Sequence, residues 1–114
     1  MDQDFQAGTS AETRPITGHH FARNLDWNLL RTFHDIVRAG GISNAARQTS
    51  RKQPAISMAL QRLEDLVGAR LCRRGASGFF LTREGELLAE VCETIFGAVT
   101  QIPSGIVEAT GDIR

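Results

Sequence analysis

Eight cationic side chains crowd the middle of the sequence: Arg47, Arg51, Lys52, Arg62, Arg70, Arg73, Arg74 and Arg83. Only Glu64 and Asp65 oppose them, so residues 43–83 carry a net charge of +6. Such a patch attracts a phosphate backbone, and each phosphate contact releases condensed counterions, which makes binding salt-dependent. All but one of the eight are arginine, whose planar fork suits bidentate contact with phosphate or with guanine's major-groove edge. A solvated basic face with incidental ion pairs has the same composition, so charge alone does not choose between the two. Residues 1–42 hold four basic and five acidic groups, and residues 84–114 hold Arg114 against six acidic groups. The formal net charge of zero over 114 residues is therefore a cancellation of −1, +6 and −5.

Other reactive residue types do not converge. Cys72 and Cys92 lie among apolar neighbours with no CxxC spacing, the pattern of two buried thiols in a reducing cytoplasm. His19 and His20 are adjacent and diverge on any regular element, and His34 stands alone in a helical pattern, so no metal is expected. His34-Asp35 has no glycine elbow, oxyanion-type loop or convergent carboxylates around it, so neither an enzyme nor a cofactor is expected. No apolar run approaches the length of a membrane span, and Asp2 and Asp4 stand where a secretory leader would be basic. A cytoplasmic chain without a membrane partner is the expectation.

The elements that must carry the basic residues follow from periodicity. Residues 1–24 are rich in Gly, Thr and Ser, lack an apolar period and read as a flexible tail. Asp26 is a helix N-cap before Leu29, Leu30, Phe33, Ile36 and Val37, one face of an amphipathic helix that Gly40-Gly41 ends. Trp27 is expected to pack under that face. Ser43 is the expected N-cap of a short second helix, whose Ala45-Ala46 pair allows a close crossing over another helix. Thr49-Ser50-Arg51 is a turn, and Pro54 fits the first turn of a third helix, where its missing N–H costs nothing. Ile56, Leu60, Leu63 and Val67 form that helix's buried stripe, and Gly68 stops it. Leu71-Cys72-Arg73 and Phe79-Phe80-Leu81 then read as a small hairpin around a Gly-rich loop. Thr82 with Gly85 opens a last helix striped by Leu88, Val91, Cys92, Ile95, Phe96 and Val99, which Pro103 and Gly105 weaken or end. This order gives a mainly α fold: a winged helix-turn-helix with a β-hairpin wing and a long C-terminal helix. The basic excess lies on its third helix and wing, and the acidic excess on its last helix.

Leu30-Arg31-Thr32-Phe33, Gly41-Ile42-Ser43-Asn44-Ala45-Ala46, Gln53-Pro54-Ala55-Ile56-Ser57, Leu63-Glu64-Asp65-Leu66-Val67-Gly68, Leu71, Arg74 and Leu81-Thr82-Arg83-Glu84-Gly85 also stand in a familiar order and spacing. With them the stretch from Leu25 to about Phe96 resembles the N-terminal DNA-binding domain of LysR-type bacterial transcriptional regulators. The resemblance implies a regulator that dimerises through its long helix and binds a pseudo-palindromic operator in double-stranded DNA. By the same resemblance Gln53, Pro54 and Ser57 open the recognition helix and face base edges. Glutamine can pair bidentately with adenine, serine adapts to either base type, and proline offers apolar contact to a thymine methyl. Arg51 and Lys52 precede that helix, where phosphates meet its positive end, and Arg73 and Arg74 set the wing against the backbone or minor groove. Ser43, Met58 and Arg62 complete the expected DNA surface. Thr49 and Arg51 depart from the family, which usually has apolar residues packing this turn. Met58 replaces a frequent basic or polar residue.

The resemblance divides the chain into a tail (1–24), the winged helix-turn-helix (25–82), a linker and dimerisation helix (83–102) and the start of a hinge (103–114). Leu88, Val91, Ile95 and Val99 are the expected dimerisation residues, the early half packing inward and the later half across a homodimer. Family members carry an effector domain after this helix, and Gly111-Asp112-Ile113-Arg114 resembles the opening of its first strand. The expectation is a reading head without its effector domain, with a small-molecule inducer only if that domain follows in a longer protein. A winged-helix protein–protein interaction module is the alternative reading, with the acidic last helix as its contact surface.

Overall fold

The computed structural model describes residues 17–76 and 78–111. Helices α1 (Gly18–Asn24), α2 (Trp27–Ala39), α3 (Ile42–Thr49) and α4 (Gln53–Val67) lead into a hairpin of β1 (Cys72–Gly75) and β2 (Gly78–Leu81). Helices α5 (Arg83–Thr100) and α6 (Ile102–Gly111) follow. The winged helix-turn-helix expected from periodicity is the fold observed.

Its core is the intersection of the predicted stripes. Leu30, Phe33 and Ile36 of α2, Ile42 and Ala45 of α3, and Ile56, Leu60 and Leu63 of α4 are buried together, closed by Leu71, Cys72 and Cys92. Ala45 is fully buried, the small residue that lets α3 cross its neighbours closely. Helix α2 is capped at its start by the Asp26 carboxylate, which accepts from the Asn28 N–H at 2.9 Å. It stops at Gly40, whose φ of 84° is the left-handed conformation of a C-terminal cap.

The wing and α5 are built on one another. The hairpin is antiparallel, with Cys72 opposite Leu81, Arg73 opposite Phe80 and Arg74 opposite Phe79. Thr82 caps α5: its hydroxyl accepts from the Gly85 N–H at 3.0 Å and donates to the Arg70 carbonyl at 2.6 Å. The Thr82 N–H donates to the Leu71 carbonyl at 3.0 Å. Gly85 consequently lies directly against the Leu71 backbone, with no room for a Cβ. The Glu64 carboxylate accepts from the Leu71 N–H at 2.8 Å, tying the end of α4 to the root of the wing. Farther along α5, His34 of α2 stacks on Phe96 and places Nε2 3.0 Å from a Glu93 oxygen.

Several sequence expectations need correction. Residues 1–24 are not wholly a tail: Gly18–Asn24 is helical, capped by Thr17, whose hydroxyl accepts from the His20 N–H, and Phe21 packs against the core cluster. Residues 1–16 lie outside the described residues. Ser43 is not an N-cap. Gly41 holds that position at φ 156° and ψ 167°, a region essentially reserved for glycine, so α3 starts two residues earlier. Trp27 is 53% exposed, one turn ahead of the first buried position of α2. The long helix breaks at Gln101, but Pro103 and Gly105 do not end helical structure. Proline falls in the first turn of a new helix, α6, where it is tolerated. The segment expected as the start of a hinge is therefore helical through Gly111, and Asp112-Ile113-Arg114 lies outside the described residues.

Candidate nucleic-acid interface

Burial of Ile56, Ala59, Leu60 and Leu63 fixes which side of α4 faces outward. At 100° per residue the opposite side carries Pro54, Ser57, Met58, Gln61, Arg62 and Asp65, and Gln53 flanks it in the open first turn. All are exposed except Ser57, which is half-buried, and Met58 is 57% exposed. No acidic residue stands in the first turn of this helix, and Lys52 occupies its N-cap without a side-chain hydrogen bond. The positive end of the helix dipole and the Lys52 ammonium therefore lie together at an open surface.

Short polar links position this end. The Ser43 hydroxyl donates to Gln53 Oε1 at 3.1 Å, joining the first turns of α3 and α4. The connecting turn is closed by Ser50 at φ 57°, by the Arg51 N–H donating to the Ala46 carbonyl at 3.0 Å, and by the Thr49 hydroxyl donating to the Ala45 carbonyl at 2.7 Å. Polar bonds thus tie this turn to α3. Arg51 does not extend freely from it: one guanidinium nitrogen lies 2.7 Å from the Thr32 hydroxyl on α2.

The hairpin separates its two arginines. Neighbouring strand positions leave opposite faces of a ribbon, so Arg74 shares a face with Phe79, and Arg73 shares the other with Phe80. Arg74 lines the cleft between the wing and the start of α3, with Gly41, Ser43 and Asn44. It also lines a larger open groove of about 840 Å³ between wing and α4, with Ser57, Gln61 and Asp65. Ser43, Gln53, Ser57 and Arg74 are thereby gathered around one region, while Arg73 lies across the hairpin and Arg62 on the outer side of α4. The sequence reading missed Gln61 and Thr32. The signal for Gln61 was available, since it lies one helical turn beyond Ser57.

Both thiols are buried, Cys92 in the core and Cys72 at the floor of the groove between wing and α4. Burial, reinforced by the Glu64 carboxylate, pushes the Cys72 thiol up to about 11. Burial, reinforced by Glu93, does the same for Cys92, also to about 11. Both are free cysteines held as neutral thiols. Among the described residues no cluster of three or more His, Cys, Asp or Glu could hold a metal ion, and no helix is long and apolar enough to cross a membrane.

The stripe on α5 is divided by face rather than by half. Leu88, Ile95 and Phe96 pack against the core beside buried Cys92. Val91 and Val99 are exposed, as are Leu87 in the same helix and Ile102, Ile106 and Val107 in α6. Leu87, Val91 and Leu88 also line a small apolar notch with Val67, Ala69 and Leu71.

Comparison with known proteins agrees with this geometry. The family model of the bacterial regulatory helix-turn-helix proteins of the lysR family matches residues 27–86, from the first turn of α2 to the first turn of α5. The HTH-type transcriptional activator BauR of Pseudomonas aeruginosa is 38% identical over 76 residues, which cover 67% of this chain and 25% of that protein. The HTH-type transcriptional regulator SyrM 2 of Sinorhizobium fredii is 35% identical over 81 residues, covering 71% of this chain and 24% of its own. The chain thus spans about a quarter of the length of these curated relatives. Among solved structures, the BenM_DBD/catB site 1 DNA complex superposes with a TM-score of 0.68 at 26% identity, covering 75% of this chain and 96% of that one. CbnR, a LysR family transcriptional regulator, superposes at 0.64 and 27% identity, covering 75% of this chain and 29% of that one. With the matched residues spanning more than half of its sequence, the chain belongs to the lysR family of bacterial regulatory helix-turn-helix proteins.

Proposed function

We propose that this chain is the DNA-reading part of a transcriptional regulator and binds double-stranded DNA sequence-specifically. One observation carries the reading: the exposed side of α4 begins at an acid-free, positively charged helix end and is flanked by the wing's Arg74. In this reading Gln53, Pro54, Ser57 and Met58 enter the major groove, with Arg62 at the far end of the contact. Lys52 meets phosphate at the start of α4, and Arg74 meets it from the wing. Ser43 acts by holding the Gln53 amide, and Arg73 contacts the backbone only if the duplex reaches the hairpin's outer face.

The working unit is a homodimer. The exposed apolar residues of α5 and α6 supply the seam, since an apolar stripe left uncovered on one subunit calls for a partner. Two reading heads related by a two-fold axis bind a pseudo-palindromic operator. A small-molecule inducer belongs to this account only if an effector domain follows in the full-length protein.

The test is selection from a randomised duplex pool, followed by salt titration on a selected site. The expected result is a two-fold symmetric consensus and an affinity that falls steeply with salt. Lys52→Ala and Arg74→Ala should each flatten the log–log slope by about 0.9 per lost phosphate contact. Absence of binding to any duplex at low salt would favour the protein-interaction module instead.

A further inference from the structure

Among the described residues Thr32 is the only buried polar side chain, at 2% exposure. It lies between Arg31 and Phe33 on the otherwise apolar inner side of α2, and its hydroxyl is 2.7 Å from Arg51 Nη1. A buried hydroxyl without a partner is costly, and a hydrogen bond from a charged donor is among the stronger ones. The link therefore constrains both ends. At the Arg51 end is the turn that aims α4: Ser50 is held in the left-handed region, the Arg51 N–H closes on Ala46, and the Lys52 carbonyl accepts the first helical hydrogen bonds from Ala55 and Ile56. Besides the Thr49 hydroxyl bond to Ala45 within α3, two side-chain bonds among the described residues hold this turn and the start of α4 to the rest of the domain. Ser43–Gln53 ties it to α3, and Arg51–Thr32 ties it to α2.

We propose that Arg51 is a positioning residue, whose guanidinium clasps the buried Thr32 hydroxyl and so fixes the start of α4 against α2. In a duplex complex this sets where Gln53, Pro54 and Ser57 meet the base edges, a consequence that rests on the DNA reading above. Arg51 thus acts inward through the turn, whereas Lys52, beside it, acts outward. Thr32, two helical turns from the C-terminal end of α2 and away from the exposed side of α4, becomes a determinant of affinity without touching DNA.

The experiment uses the whole chain with Thr32→Val, Thr32→Ser, Arg51→Ala and the Thr32→Val/Arg51→Ala double variant. Thr32→Val removes the hydroxyl without changing charge or shape. Amide hydrogen exchange is read at Arg51 and Ile56 without DNA, and affinity is read on one selected duplex across a salt series. The clasp predicts faster exchange at both amides in Thr32→Val and Arg51→Ala, with protection retained in Thr32→Ser. It also predicts that Thr32→Val weakens DNA binding with an unchanged salt slope. The affinity loss caused by Arg51→Ala should shrink about tenfold when Thr32 is already valine, a coupling typical of directly bonded residues. Unchanged exchange in Thr32→Val, or additive losses with a slope reduced only by Arg51→Ala, would overturn the proposal and make Arg51 a plain phosphate contact. If the unaltered chain binds no duplex, the DNA reading fails by itself, and the exchange data alone decide whether the clasp holds the turn.

Discussion

Replacing Gly85 with alanine should break the joint between wing and long helix. An ideal Cβ there would come within 3.0 Å of the Leu71 carbonyl carbon and 3.3 Å of its Cα, and closer still to its oxygen. The obstacle is backbone, so no rotamer change relieves it. Either α5 or the Leu71 strand end must move, stretching the Thr82 N–H to Leu71 carbonyl bond and the Gly85 N–H to Thr82 hydroxyl cap. Overpacking of this kind costs about 1–3 kcal/mol, and weakening one such hydrogen bond adds about 1 kcal/mol. The expected loss is thus roughly 2–4 kcal/mol, a large part of a small domain's stability. Urea unfolding followed by far-ultraviolet circular dichroism measures it, with Gly97→Ala as the internal control. Gly97 lies inside α5 with open space where its Cβ would go, so alanine should stabilise there by about 0.8–1 kcal/mol through helix propensity. Equal stability of Gly85→Ala and the unaltered protein would refute the close approach of α5 to Leu71 and the wing geometry built on it.

Two further outcomes follow from burial. Because the fold holds both thiols neutral to about 11 while an unfolded thiol ionises near 9.0, the folded chain binds more protons in that window. This contribution to stability is fully present below pH 9 and is lost as pH rises through 9 to 11. Urea midpoints at stepped alkaline pH check it, and a double Cys72→Ser/Cys92→Ser chain, compared with its own neutral-pH stability, should lose that alkaline slope. Val91 and Val99 are half-exposed on the apolar side of α5, so Val91→Glu with Val99→Glu should convert the proposed dimer to a monomer in sedimentation equilibrium. A dimer that survives both charges would place its interface elsewhere.

Most of the fold was legible because each element carries its own local signal. Three-and-four spacing marks α2, α4 and α5, and Asp26, Thr82, Gly40 and Gly68 punctuate their ends. What escaped depends on tertiary context. Phe21 helps dock α1 only because core residues of other elements receive it, and no period reveals that in a seven-residue helix. Ser43 looks like a cap, yet glycine's unusual backbone at position 41 starts α3 earlier and frees the serine hydroxyl for Gln53. The interface was legible as charge and as the outward side of α4. Its finer arrangement was not. Charge counting cannot tell that Arg73 and Arg74 leave opposite faces of the hairpin, or that Arg51 is bonded to a buried threonine nineteen residues earlier.

The central claim is that α4 and the wing read DNA through the basic middle block of the chain. Salt-dependent affinity for a selected duplex, compared with a scrambled duplex, tests it most directly when paired with Gln53→Ala. The account predicts a steep salt slope on both duplexes and a clear preference for the selected one. Gln53→Ala should reduce that preference by about 1–3 kcal/mol while leaving the slope intact. A slope near zero, or a preference untouched by the loss of Gln53, would contradict it.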